Sequence, residues 1–194
     1  MIVTPIERPN GIRLRIAWLY SRAYFGKVIL PMKLVYARVP AALTMVTKMH
    51  TLLHRGLSLD ARLVLLVQMR VAAENGCAFC MDIGRALAVR LKIADDTLNA
   101  VAQGAPHASL SPREALAVGL ATRVARKQPL STEDWAPLKA AFTEKEIVEL
   151  TLVMAIEAFF NTITHTLEIP PDGLCILAKG RSKQARPAAP ELHS

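Results

Sequence analysis

The chain has 194 residues and a mass of 21.2 kDa, which is the size of one domain with a substantial core. Hydrophobic residues make up 52% of it and the mean hydropathy is +0.28, but polar side chains interrupt every apolar stretch before the roughly 18 residues of a membrane span, so we expect none. The net charge is +8 without a recognisable nucleic-acid-binding module, so we expect no nucleic acid as a partner.

The chain opens with a basic segment. Residues 1–40 contain seven arginines and lysines and a single acid, Glu7. We interpret residues 1–38 as a helical N-terminal arm with a solvated basic surface, and contact with anionic lipid or an acidic protein is the alternative. The segment lacks the basic-then-apolar order of a secretory signal. We therefore expect a cytoplasmic protein, where thiols stay reduced.

Helical spacing of apolar residues continues through the rest of the chain, and no run of alternating β-branched residues appears. The sequence therefore predicts an all-α fold, a multi-helical bundle in residues 39–178. Residues 179–194 contain few large apolar residues and are predicted to be a disordered tail. The predicted helices are 12–28, 32–38, 41–55, 59–75, 77–91, 95–103, 112–127, 132–142, 144–167 and 171–178.

Four helix starts carry a predicted cap. Ser58, Ser111, Ser131 and Thr143 each precede a helical pattern, where a side-chain oxygen can accept from the unpaired N–H groups of the first turn. Thr143 is followed three positions later by Glu146, which completes a capping-box pattern.

The stretch "AAENGCAFCMDIGRALAVR", residues 72–90, contains two of the three cysteines. Gly76 ends one helical pattern and the next begins at once, so Cys77 and Cys80 are predicted to open a new helix. Residues three apart share a helix face, so either a reversible disulfide or a shared metal is geometrically possible. The positive end of the helix dipole stabilises a thiolate, and on this argument Cys77 has the lower pKa.

The cysteine pair allows other interpretations. Both cysteines could simply fill a small-residue contact between helices. Zinc is disfavoured because a structural site needs four ligands, whereas Cys175 stands alone and the five histidines are scattered. A c-type haem is excluded because Met81 follows Cys80 where a histidine is required.

The motif "MRVAAENGCAFCMD", combined with the later helix "EIVELTLVMAIEAFFNTI", resembles the carboxymuconolactone decarboxylase and AhpD-like alkylhydroperoxidase superfamily over residues 39–171. The resemblance implies an AhpD-like helical bundle that forms a homo-oligomer, with the cysteines near a subunit interface. It also implies reduction of hydroperoxides through a Cys77–Cys80 disulfide, in which Cys80 attacks and Cys77 resolves. No cofactor or metal is implied.

The proton relay of the family does not carry over. The position of the family's histidine is Gly84 here, and that of its glutamate is Leu65. Because neither residue can move a proton, we expect another acid to substitute, and Glu74, three residues before Cys77, is the prediction.

Three further residues are predicted to support the site. Asp82 is expected to anchor the first turn of its own helix or to pair with Arg85 or Arg70. Asn161 and His165, one helical turn apart, are expected to line a pocket or to form a core pair.

The sequence-based hypothesis is therefore a peroxidase of the AhpD-like type, regenerated by a cytosolic thiol reductant. Two alternatives stay open. One is a non-redox enzyme of the carboxymuconolactone decarboxylase type, and the other is a non-catalytic module that binds through the basic N-terminal arm.

Overall fold

The computed structural model describes residues 1–184, and this part of the chain is helical without strands. The predicted all-α class is confirmed. Two short π-helical turns, Met32–Tyr36 and Leu52–Gly56, flank the second helix. The α-helices are α1 Ile12–Phe25, α2 Pro40–Thr51, α3 Ala61–Glu74, α4 Ala78–Arg90, α5 Asp95–Gln103, α6 Pro112–Ala125, α7 Thr132–Ala141, α8 Glu144–Thr166 and α9 Leu174–Gln184.

Helix α3 lies at the centre of the bundle. It contacts α4, α5, α6 and α8, and residues 63–67 and 69–72 are all buried. Val67 and Leu66 are fully inaccessible to solvent. The helix therefore buries apolar side chains on more than one face, which accounts for the excess of apolar residues over a single amphipathic stripe.

Helix α8 is long and apolar enough to cross a membrane by length and composition alone. In the structure it packs against α3, α4, α6 and α7. Three of its polar side chains, Glu149, Glu157 and Asn161, are buried within the bundle. This is the environment of a core helix, since each of these groups has hydrogen-bond partners inside the protein.

Three of the four predicted caps are confirmed. Ser111, Ser131 and Thr143 each form a complete capping box at the start of α6, α7 and α8. The prediction for Ser58 is wrong, because Asp60 caps α3 by accepting from the N–H of Leu63.

Ser58 instead donates hydrogen bonds to Glu149. The Glu149 carboxylate accepts from the N–H and hydroxyl of Ser58 and from the N–H of Leu59, at 2.8–3.2 Å. These bonds hold the pKa of Glu149 below its usual value despite burial.

Both ends of the described chain pack onto the bundle. Leu14 and Trp18 of α1 belong to a buried cluster that includes Val46 of α2. At the other end α9 continues to Gln184, so the predicted tail boundary at 179 is wrong, and Lys179 donates to Asp95 at 2.5 Å. The remainder of the predicted tail, residues 185–194, lies outside the described residues.

Candidate functional site

The two motif cysteines lie at the junction of α3 and α4. Gly76 takes a left-handed conformation with φ of 65°, which reverses the chain after α3. Cys77 is the N-cap of α4, and its sulfur accepts from the N–H of Cys80 at 3.2 Å. A disulfide joins the two residues, with their Cα atoms 5.3 Å apart. The prediction that the cysteines open a helix and face each other is confirmed.

Helix α8 supplies the polar groups around the two sulfurs. The Nδ2 amide of Asn161 donates to the Cys80 sulfur at 3.1 Å. The Thr164 hydroxyl lies 3.0 Å from the Cys77 sulfur and 3.7 Å from the Cys80 sulfur. Because Asn161 and Thr164 are three residues apart, they share the face of α8 that meets α4.

A buried carboxylate lies behind Asn161. Glu157, one turn earlier on α8, is 6% exposed. Its Oε1 accepts from Asn161 Nδ2 at 2.7 Å and its Oε2 accepts from Gln68 Nε2 at 3.1 Å. Burial raises the pKa of Glu157 to about 7, which exceeds the opposing effect of these two hydrogen bonds. Glu157 therefore changes charge near neutral pH.

A second amide fixes the orientation of Asn161. Asn75 Nδ2 donates to Asn161 Oδ1 at 2.8 Å. The side-chain oxygen of Asn161 is thus directed to Asn75. The two N–H donors of the same amide are directed to Glu157 and to the Cys80 sulfur. The sulfur consequently faces a donor, which favours a thiolate at Cys80.

Asn161 also lines a cavity of about 580 Å³, together with His165, Asn75 and a mixture of apolar and polar side chains. His165 does not bond to Asn161; its Nε2 lies 2.6 Å from the carbonyl oxygen of Asn75. The structure thus brings both predicted pocket residues to one cavity. Cys77 and Cys80 are only 3% and 6% exposed and do not line it, whereas Asn161 both lines the cavity and donates to the Cys80 sulfur.

The structure does not bring Glu74 to the sulfurs. Its Oε2 and Oε1 accept from Arg126 at 2.8 and 2.9 Å, and it also pairs with the buried Arg70. With both oxygens held by arginines, Glu74 is a structural ion-pair partner in this arrangement. Sequence reasoning missed Glu157 as well as Thr164 and Asn75; the signal for Glu157 was a carboxylate four positions before Asn161 inside a long apolar helix.

The prediction for Asp82 needs correction. Its carboxylate accepts from the N–H groups of Asp172, Leu174 and Cys175 at 2.9–3.0 Å, so it caps α9 instead of its own helix. It also does not pair with an arginine: Arg85 donates to Asn99, and Arg70 donates to Thr122 and to carbonyl oxygens of α5.

The two positions of the family's relay are used for packing. Gly84 lies where α4 crosses α3, and any Cβ there would collide with the sulfur of Met69. Leu65 is 3% exposed and belongs to the same apolar cluster as Met69. A histidine at position 84 would therefore require at least the buried Met69 side chain to shift.

Comparison with known sequences identifies one family. The model of the carboxymuconolactone decarboxylase family matches residues 40–123, a range that contains both motif cysteines. No curated protein matches the sequence. The family resemblance seen in the motifs is confirmed.

Solved structures share the fold at low sequence identity. A peroxidase-related protein from Silicibacter sp. TM1040 has a TM-score of 0.76 and 18% identity, over 89% of this chain and 96% of that one. An AhpD-core peroxidase-related protein from Ralstonia eutropha JMP134 has a TM-score of 0.75 and 18% identity, over 91% of this chain and 98% of that one. A cysteine-to-alanine variant of the debrominase Bmp8, bound to 2,3,4-tribromopyrrole, has a TM-score of 0.78 and 14% identity, over 94% of this chain and 97% of that one. The bundle is therefore AhpD-like.

Proposed function

Because the model of the carboxymuconolactone decarboxylase family matches residues 40–123 and the bundle has an AhpD-like fold, we propose that the chain is a thiol-dependent oxidoreductase that reduces hydroperoxides through Cys77 and Cys80. The observation that carries the proposal is the placement of the two sulfurs, joined at the start of α4 with an amide donor directed at Cys80. A dithiol in this arrangement can alternate with its disulfide without rearrangement of the helix.

The peroxidase cycle has three steps. The Cys80 thiolate attacks the terminal peroxide oxygen, the O–O bond breaks, and the alkoxide takes a proton, which leaves an alcohol and a sulfenic acid on Cys80. The Cys77 sulfur then displaces the hydroxyl group as water and forms the disulfide. A dithiol reductant restores both thiols and is itself oxidised to a disulfide.

We assign distinct roles to the residues behind Cys80. Asn161 stabilises the attacking thiolate through its N–H donor. Glu157 is a positioning residue, because it accepts from the same amide and holds the donor towards the sulfur. With its pKa near 7, Glu157 also exchanges a proton in the pH range in which the alkoxide must be protonated.

The cavity supports a second candidate, reductive dehalogenation of a small aromatic compound. Its volume of about 580 Å³ leaves room for a single ring next to Asn161, and Val71, Met154 and Ala158 in its mixed lining offer apolar contacts. Bmp8, which shares the fold, is a debrominase. In this reaction the dithiol is oxidised to the disulfide, hydrogen replaces bromine on the ring, and bromide and a proton are released.

A steady-state assay tests the proposal. Purified protein receives dithiothreitol and either hydrogen peroxide or tert-butyl hydroperoxide, and peroxide loss is measured for the wild type and for Cys80→Ser, Cys77→Ser and Cys175→Ser. We expect the two motif variants to lose enzymatic turnover and Cys175→Ser, the matched control outside the motif, to keep it.

Equal peroxide consumption by Cys80→Ser and the wild type would overturn the peroxidase assignment. Bromide release from tribromopyrrole, dependent on both cysteines and without peroxide turnover, would select the dehalogenase instead. Unreactive motif thiols in every assay would favour the non-redox alternative.

A further inference from the structure

Helix α1 presents an apolar stripe to solvent. Ile12, Ile16, Leu19 and Tyr20 are 70%, 60%, 67% and 65% exposed. Their spacing of four, three and one residues places them on one face of the helix. Large apolar side chains grouped in this way mark an interaction surface more often than isolated exposed ones do.

The opposite face of α1 holds the helix on the bundle. Leu14 and Trp18 are 2% and 6% exposed and pack in a cluster with Met32 and Val46. The Ser21 hydroxyl donates to the carbonyl of Lys27 at 2.9 Å, which ties the end of α1 to the following segment. The exposed stripe therefore belongs to a helix that is already folded and anchored.

Arginines flank the stripe on both sides. With about 100° of rotation per residue, Arg13 lies along one edge and Arg15 and Arg22 lie along the other. The helix contains no acidic residue, and none of the three arginines forms an ion pair within residues 1–184. Their long stems can follow the apolar surface while the guanidinium groups reach phosphates beside it.

The positive charge continues past the end of α1. Arg181 of α9 and Arg90 of α4 both donate to the carbonyl oxygen of Tyr24, and the Arg90 guanidinium lies 3.7 Å from the centre of the Tyr24 ring. The bundle thus adds basic groups at the same end of the helix.

We propose that α1 is a docking helix for an anionic phospholipid surface, lying in the plane of the interface with its apolar stripe among the acyl chains and its arginines at the headgroups. An apolar stripe with basic edges is the arrangement of interfacial amphipathic helices. A two-fold contact between copies of α1 would instead bring arginines of the same sign together, which disfavours a second copy as the occupant. The proposal is independent of the chemistry at Cys77 and Cys80.

Vesicle co-sedimentation of the full chain tests the proposal. Vesicles of phosphatidylcholine alone are compared with vesicles of phosphatidylcholine and phosphatidylserine in equal amounts, each at low and at high salt. We expect binding to the phosphatidylserine vesicles, weak binding to phosphatidylcholine alone, and loss of binding at high salt because the charges are then screened.

Two sets of variants separate the apolar from the electrostatic contribution. Ile16→Asp and Leu19→Asp should each weaken partitioning at least roughly tenfold. Arg13→Gln and Arg22→Gln should each weaken it about fivefold and reduce the salt dependence. Ile176→Asp is the matched control, since Ile176 on α9 is 78% exposed but outside α1, and it should bind like the wild type.

Sedimentation velocity and circular dichroism accompany each variant. The proposal would be overturned if the wild type bound neither kind of vesicle or bound both equally. It would also be overturned if Ile176→Asp lost as much vesicle binding as Leu19→Asp. A fall in the sedimenting mass of Leu19→Asp, without vesicle binding by the wild type, would overturn it in favour of a second copy.

Discussion

The two motif sulfurs have different neighbours. Cys77 caps α4 and accepts the N–H of Cys80, whereas Cys80 accepts the amide of Asn161. The helix-end argument gives Cys77 the lower thiol pKa, and the family resemblance gives Cys80 the attacking role. The amide donor and the nearby cavity favour Cys80, because the attacking sulfur must meet the oxidant.

Trapping of the sulfenic acid tests this assignment. In Cys77→Ser no resolving thiol faces Cys80, so one equivalent of hydroperoxide should leave a sulfenic acid on Cys80 that dimedone captures. Peptide mass spectrometry locates the adduct. An adduct on Cys77 in Cys80→Ser, with none on Cys80 in Cys77→Ser, would reverse the two roles.

The raised pKa of Glu157 links folding to pH. The folded protein keeps this proton up to about pH 7, whereas an ordinary glutamate releases it near 4.5. Between these values the folded state binds more protons, so the free energy of unfolding falls as pH rises, by up to about 3 kcal/mol. His50, whose pKa burial lowers to about 4, gives the opposite slope, so a comparison between variants is needed.

Glu157→Gln removes the pH dependence of stability that comes from Glu157 and leaves that of His50 unchanged. We expect the stability difference, Glu157→Gln minus wild type, to increase from pH 5 to pH 8, since only the wild type must bury a charge there. Urea unfolding at several pH values measures it. Glu146→Gln is the control, because hydrogen bonds lower the pKa of Glu146 and its contribution changes only below about 4.5. A difference that is independent of pH would contradict the raised pKa.

At the level of residues, the sequence predicted the cysteine pair but not the acid behind it. Cys77 and Cys80 are adjacent in one turn, so their contact follows from local geometry. Asn161 meets Cys80 across 81 positions of sequence, and this contact depends on how α8 packs against α4. Glu74 was nearer in sequence, but Arg70 of α3 and Arg126 at the end of α6 engage it.

Among the helices, α9 is capped at its start by a carboxylate from α4. Asp82 accepts three backbone N–H groups at the start of α9. Asp82→Ala should therefore destabilise the protein by about 2 kcal/mol and increase amide hydrogen exchange in α9 more than in α3. Asp96→Ala, at a largely exposed aspartate of α5, is the comparison. Uniform exchange in both variants would show that Asp82 does not hold α9.

Most helices could be predicted because periodicity and caps are local signals. Helix α5 begins and ends as predicted, at Asp95 and Gln103. Ser58 does not cap α3 because its N–H and hydroxyl bind Glu149, which is 91 positions away in sequence, and Asp60 caps the helix instead. Asp82 likewise caps α9 from up to 93 positions away. Such partners have no fixed spacing and cannot be found by a local pattern.

For the whole molecule, the outer face of α8 exposes apolar side chains. Val148 and Leu152, one turn apart, are 59% and 41% exposed, and the neighbouring Thr151 and Ala155 line the cavity. We expect a homo-oligomer with this face at the interface. Sedimentation velocity should give a multiple of the 21.2 kDa chain mass, and Leu152→Asp should lower it. A monomeric wild type would contradict this expectation.

The class of the fold followed from composition and periodicity, whereas the function of the exposed apolar faces did not. The sequence patterns of α1 and α8 are both apolar, but α1 is flanked by arginines and α8 carries buried carboxylates. Only the packing shows which of their residues stay exposed.

A single-turnover trapping experiment tests the central claim most directly. Fully reduced protein receives one equivalent of hydrogen peroxide, is alkylated with iodoacetamide, and is analysed by peptide mass spectrometry. The account predicts a Cys77–Cys80 disulfide with Cys175 alkylated, and consumption of the peroxide in step with the loss of two thiols. Two results would contradict the account. In one, the peroxide is consumed but Cys77 and Cys80 are still alkylated; in the other, both cysteines are alkylated and the peroxide remains.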